Sequence, residues 1–137
     1  MRRVRFCFKK RKDNGKWGIV GGGMEIGESF EETARREARE EAGIELGELK
    51  IAAICNGSDR FIIYPNGDIC YASAVVFWTK EFSGEIKNDP EEVFEHRFFS
   101  KDNIPEELND FDRLFLDIWP ELGNGIAVYD GKKLLWQ

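Results

Sequence analysis

Glu37, Glu40 and Glu41 stand at i, i+3 and i+4, a spacing that crowds three carboxylates onto one face of a helix. Each like-charged i, i+4 pair costs an isolated helix about a few tenths of a kcal/mol, so the cluster calls for a compensating charge. Arg35, Arg36 and Arg39 could supply it, giving a solvated, salt-bridged face, the usual fate of charged runs. A hard divalent cation is the other solution. Mg²⁺ and Mn²⁺ favour oxygen ligands, and Glu28 brings a further carboxylate to the same region.

The elements that must position these groups are legible around them. Ser29 and Glu32 have the spacing of a capping box, which predicts a helix start there. The helix is expected to run to Ala42, with Gly43 in the left-handed position that ends it. Phe30, Ala34, Ala38 and Ala42 form an i, i+4 ridge, mostly of small groups, able to lie close against a sheet. Ahead of the helix, Gly21, Gly22 and Gly23 make a tight turn whose bare backbone can approach an ion or a phosphate.

Charge is distributed unevenly. Residues 1–16 carry +7 in a chain of net charge −6, so the remainder carries −13. The basic start, Arg11 within it, is able to meet a phosphate. Its alternation (Arg3, Arg5, Cys7 and Lys9 against Val4, Phe6, Phe8 and Lys10) reads first as a half-buried strand with a charged outer face. An acidic body argues against binding a nucleic acid polymer. A divalent ion between protein and substrate would reconcile that charge with a polyphosphate.

At 137 residues the chain suits one compact domain. With no apolar run long enough to cross a bilayer and no signal-like start, the expectation is a soluble, cytoplasmic protein that does not engage membranes. Cys7, Cys55 and Cys70 are odd in number and widely spaced, which predicts buried free thiols in a reducing compartment.

Strands are predicted at 4–8, 17–20, 49–54, 60–64, 69–79 and 93–99, with Pro65-Asn66-Gly67-Asp68 as a hairpin turn. A second helix is predicted from Pro105, with Phe111, Leu114, Phe115 and Ile118 as its apolar face and Pro120 as its stop. Residues 125–136 read as a hairpin turning at Asp130-Gly131. Interleaved strands and helices indicate an α/β (α+β) domain.

Residues 21–44 resemble the Nudix box, G-x5-E-x7-R-E-U-x-E-E-x-G-U with U aliphatic. Its fixed positions are filled by Gly22, Glu28, Arg36, Glu37, Ala38, Glu40, Glu41, Gly43 and Ile44, with Ala38 smaller than usual. Trp17 to Gly22 is similar to the Trp-x-Leu-Pro-Gly-Gly lead-in of many members, with Val20 replacing the proline. The likeness covers about residues 4–119 and implies an α/β/α sandwich with a central mixed sheet. Members usually have a strand before the one expected at 4–8. The hairpin at 125–136 is expected to fill that position, from its own chain or from a partner in a homodimer.

The resemblance implies Mg²⁺- or Mn²⁺-dependent hydrolysis of a P–O–P linkage in a nucleoside diphosphate joined to another group. Glu37, Glu40, Glu41 and Glu28 match its metal-holding positions, and Arg36 an orienting one. Gly21, Gly22, Gly23 and Arg11 are candidate substrate contacts. The general base stays open between Glu37 and Glu92, while His96 is read as structural. A small nucleotide is the expected substrate, with a nucleoside triphosphate the favoured class by elimination. Phe61, Tyr64, Trp78 and Phe94 could stack a base but are expected in the core. The alternatives are a non-catalytic Nudix-fold module that senses a nucleotide or binds a partner, and an acidic interaction domain without a metal.

Overall fold

The computed structural model describes residues 5–118, 123–131 and 134–136. In chain order its elements are β1 (Arg5–Arg11), β2 (Trp17–Ile19), α1 (Phe30–Ala42), β3 (Glu45–Leu46), β4 (Lys50–Cys55), β5 (Phe61–Ile63), β6 (Ile69–Tyr71), β7 (Ala74–Trp78), β8 (Phe82–Ser83), β9 (Val93–Ser100), α2 (Phe115–Ile118), β10 (Ala127–Tyr129) and β11 (Leu134–Trp136). The fold is mixed α+β. Its residues divide into two compact units, Met1–Glu48 with Lys80–Arg113, and Leu49–Thr79 with Leu114–Gln137.

In the first unit β1 is the middle strand of an antiparallel sheet ordered β2-β1-β9. Phe8 of β1, Trp17 of β2 and Phe99 of β9 pack together. The Trp17 and Phe99 rings meet edge-on at 5.0 Å, and those of Phe8 and Phe99 lie 5.7 Å apart. Such aromatic clusters bury large apolar areas and fix strand register. Lys9, expected on the charged outer face, is instead only 7% exposed. The cause is a carboxylate waiting for it on α1.

Helix α1 begins as the sequence predicts. Glu32 N–H donates to Ser29 Oγ at 3.1 Å and Ser29 N–H to Glu32 Oε1 at 3.3 Å, so each end of the capping box satisfies the other. It ends at Gly43, whose φ of 69° lies in the left-handed region where a side chain would strain the backbone. Ala38, Ala42 and Ile44 are buried with Val20, Leu46 and Ile86 around them. Phe30 departs from the expected ridge and is exposed, because the buried stripe begins a turn later at Thr33.

In the second unit β11, β10, β4 and β7 form one mixed sheet in that order. β10 runs parallel to β4, with Ala127 opposite Ala53, while β4 and β7 are antiparallel. Ala52, Ala53, Cys55, Ile118 and Ala127 form its buried core. The strand predicted at 69–79 divides in two. Ala72 N–H donates to Arg60 O at 2.7 Å, so β6 pairs with β5 before β7 joins β4.

The predicted second helix is mostly absent from 105–114. Trp17 N–H donates to Glu107 O at 2.8 Å and Asn109 N–H to Trp17 O at 2.7 Å. These bonds hold the segment extended beside β2 with Leu108 buried, and a helix would need the same backbone groups. Only Asp110–Asp112, as a single 3-10 turn, and α2 are helical there. Strands β3 and β8, two residues each, were too short to leave a periodic signal. Val4, Pro120, Lys132 and Lys133 lie outside the described residues.

Cys7, Cys55 and Cys70 are free thiols. Burial raises the pKa of Cys7 to about 11 and pushes that of Cys55 up. Cys70, expected to be buried, is exposed on β6 because the β5–β6 ribbon leaves both faces open.

Candidate active site

Arg36 gathers the acidic groups of the box. Its Nε donates to Glu28 Oε2 at 2.8 Å and its Nη2 to Glu28 Oε1 at 3.1 Å, a two-armed grip that suits a planar guanidinium. Nη1 donates to Glu37 Oε1 and to Glu40 Oε2, each at 3.0 Å, and Nη2 reaches Gly23 O at 2.8 Å. One side chain thus ties the loop before α1 to two of the carboxylates on it.

Glu28 is further held by Glu25 N–H at 2.7 Å and by Thr33 Oγ1 at 3.1 Å. Chiefly through the bond from Arg36, its pKa falls to about 2, so it is ionised across the neutral range. The bond to Glu28, and next the bond to Glu37, raise the pKa of Arg36.

Glu41 lies deeper, its side chain 3% exposed. Lys9 Nζ donates to Oε2, Gly21 N–H donates to Oε1 at 2.9 Å, and Lys9 also reaches Gly21 O at 3.1 Å. Burial pushes the carboxyl pKa of Glu41 up, and the bonds from Lys9 and Gly21 oppose that shift. Lys9 was missed from the sequence. The alternation gave no signal, because Lys9 falls on its charged side with Arg3 and Arg5.

Gly22 faces Glu37 so closely that a β-carbon at 22 would collide with the carboxylate. The glycine turn is therefore required by close approach to α1. Gly21 and Gly23 have nothing near their missing β-carbons, and contribute backbone groups instead.

The segment after β8 is sewn to the end of α1, where Lys87 N–H donates to Ala42 O at 2.8 Å and Asp89 N–H to Glu41 O at 3.2 Å. It forms an open cleft of ≈ 440 Å³ lined by Glu40, Asn88, Asp89 and Glu92 among others. Glu92 and Glu40 are thereby brought to one cleft. Arg11 is instead turned to its neighbour Asp13, with Nε 3.0 Å from Oδ1. Among the aromatics considered for a base, Phe61, Tyr64 and Phe94 are exposed rather than in the core.

The donor set suits a hard divalent cation: Glu28, Glu37, Glu40 and Glu41 offer only oxygens, and the bare Gly22 lets the Glu37 carboxylate lie against the turn. Among the described residues no three Asp, Glu, His or Cys side chains already converge as ligands. Arg36 pairs with Glu28, Glu37 and Glu40, and Lys9 with Glu41.

This fold, with a glycine turn leading into a helix of braced glutamates, is the arrangement of a single domain family. Residues 1–117 match the NUDIX domain family, and the chain belongs to it. Among solved structures it is similar to a MutT NUDIX hydrolase from Burkholderia pseudomallei, with 29% identity and a TM-score of 0.72, covering 85% of this chain and 89% of that one. A MutT protein from Bacillus halodurans aligns with 26% identity and a TM-score of 0.60, over 96% of this chain and 86% of its own. Among curated proteins, the NAD-capped RNA hydrolase NudC of Vibrio vulnificus is 28% identical over 95 residues, 69% of this chain and 33% of the relative. That of Salmonella agona is 30% identical over the same shares. The chain thus spans about one third of the length of these relatives. Among the described residues no helix is long and apolar enough to cross a membrane.

Proposed function

We propose that the chain hydrolyses the P–O–P linkage of a nucleoside diphosphate joined to another group, in the cytoplasm, with a nucleoside triphosphate as the leading substrate class. The observation that carries this is the brace of Arg36 on Glu28, Glu37 and Glu40, which ties one box carboxylate ahead of α1 to two on it. Glu37, Glu40, Glu41 and Glu28 would hold Mg²⁺ or Mn²⁺. Such an ion, when bound, supplies Lewis acidity and a lowered pKa for coordinated water.

The chain's own groups do the rest. Gly21, Gly22 and Gly23 let the phosphates approach the backbone, and Arg36 keeps Glu28 and Glu37 oriented. Glu92, exposed on the cleft it shares with Glu40, takes the proton of the attacking water, because Glu37 is engaged by Arg36. Arg11 is free to exchange exposed Asp13 for a phosphate.

A panel of nucleoside triphosphates, nucleoside diphosphate sugars and dinucleotides, assayed by chromatography for nucleoside monophosphate and its pyrophosphate or phosphorylated co-product with Mg²⁺, Mn²⁺ or EDTA, tests this reading. Metal-dependent cleavage of at least one member is expected; binding without cleavage would favour a nucleotide-sensing module. NAD-capped RNA belongs in the panel, since the Vibrio and Salmonella relatives are named for it.

The same reading takes residues 1–137 as one domain in which β10, beside β4, supplies the strand that relatives place before β1. It also includes a homodimer through the β5–β6 ribbon. Phe61, Ile62, Ile63, Tyr64, Ile69 and Tyr71 are all exposed there. Together they form an exposed apolar patch of the kind that a second copy can cover. Light scattering on wild type and Ile63→Glu is expected to give a dimer and a monomer; a monomeric wild type rejects the pairing.

A further inference from the structure

Both carboxylate oxygens of Glu41 are already engaged by this chain, one by Gly21 N–H and the other by Lys9. Each oxygen keeps a second lone pair for an ion, but the ammonium beside Oε2 repels that ion, and of the two donors only Lys9 is on a flexible side chain able to withdraw. A buried ammonium stripped of its carboxylate is strongly unfavourable unless another acceptor stands within reach.

The structure holds such an acceptor. Lys9 and His96 are directly opposed in the β1–β9 ladder, which puts both side chains on the same face of the sheet. His96 Nδ1 lies 2.8 Å from Asn88 Oδ1. An amide oxygen only accepts, so Nδ1 carries the proton and Nε2 presents a lone pair. That Nε2 is buried and has no hydrogen-bond partner among the described residues. Asn88 lies between Lys87 and Asp89, whose N–H groups bond to Ala42 and Glu41 carbonyls, so the ring is anchored beside the end of α1. Lys9 Nζ has three protons and two partners, leaving one donor to turn. Burial, and next the charge of Lys9, hold the His96 pKa below its usual value, in keeping with a neutral ring.

We propose that Lys9 is the site's internal counter-cation, holding Glu41 until a divalent ion binds, and that His96 Nε2 then receives the displaced ammonium. This rests on the metal-dependent reading above. It makes Lys9 and His96 positioning residues that set ion affinity together.

Mn²⁺ binding measured by calorimetry on the whole chain tests it. Lys9→Met removes the competitor and is expected to tighten binding about tenfold. His96→Phe is expected to weaken binding several-fold in the wild-type background and to have no effect in the Lys9→Met background. Wild type that binds no Mn²⁺ overturns the metal-dependent reading and this inference with it. Binding that Lys9→Met leaves unchanged, or a His96→Phe effect that persists without Lys9, overturns this inference alone. Should either variant fail to fold, side-chain nitrogen NMR of wild type decides. Addition of Mg²⁺ is expected to shift His96 Nε2 as it accepts a hydrogen bond, and an unmoved resonance rejects the exchange.

Discussion

Arg36 grips Glu28 with two nitrogens on two oxygens, at 2.8 and 3.1 Å, across the turn that separates them by eight residues. This pair fixes where the loop meets the helix. Arg36→Lys keeps the charge but loses the fork, since an ammonium is a point donor. Its kcat at saturating Mg²⁺ is expected to fall about 10–100-fold, the effect typical of losing a ligand's outer support. Steady-state kinetics beside an unchanged far-ultraviolet dichroism spectrum would check it.

Gly22→Ala puts a methyl group where the Glu37 carboxylate lies. Either the turn or the glutamate must move, and a small misplacement near the chemistry costs about 100-fold in rate. Gly23→Ala, with open space at its β-carbon and no helix carboxylate against it, is expected to lose less kcat than Gly22→Ala and to show its cost in KM, where a methyl group meets an approaching phosphate. Equal losses in the two variants would contradict the fit between Gly22 and Glu37.

Glu40→Gln and Glu41→Gln separate chemistry from stability. The side chain of Glu40 is 54% exposed, so its replacement is expected to lower turnover by orders of magnitude with the melting temperature kept. Glu41 is the buried partner of Lys9. Breaking such a pair from one side costs about 3–5 kcal/mol, so this variant is expected to lose stability as well as activity. Denaturant unfolding of both variants gives the comparison.

Glu28 sets an acid limit. Its folded pKa of about 2 lies below the ordinary 4.5, chiefly because Arg36 bonds to the ionised form. A depressed carboxyl contributes stability above its unfolded pKa and loses it as pH falls through the folded one. The stability difference between wild type and Glu28→Gln is therefore expected to shrink from pH 4.5 down to pH 2. A difference that grows on acidification would reverse the sign of the linkage.

Local order alone determined much of this protein. Ser29 and Glu32 cap α1, Gly43 ends it, and the spacing of Glu37, Glu40 and Glu41 puts the three on one side of it, because each relation is settled within a turn or two of one helix. Hairpin turns and alternating strands were legible for the same reason.

Tertiary structure decided what depends on partners distant in sequence. Nothing near Lys9 announces that Glu41, 32 positions away, will draw it into the interior. The apolar face predicted from Pro105 was real in part, but the backbone at 107 and 109 is bonded to Trp17 and not within a helix. Glu92 reaches the cleft of Glu40 only because 87–89 is bonded to the end of α1. Periodicity reports which side of an element is apolar; which neighbour takes its hydrogen bonds and charges is set when the strands pair and the helix docks.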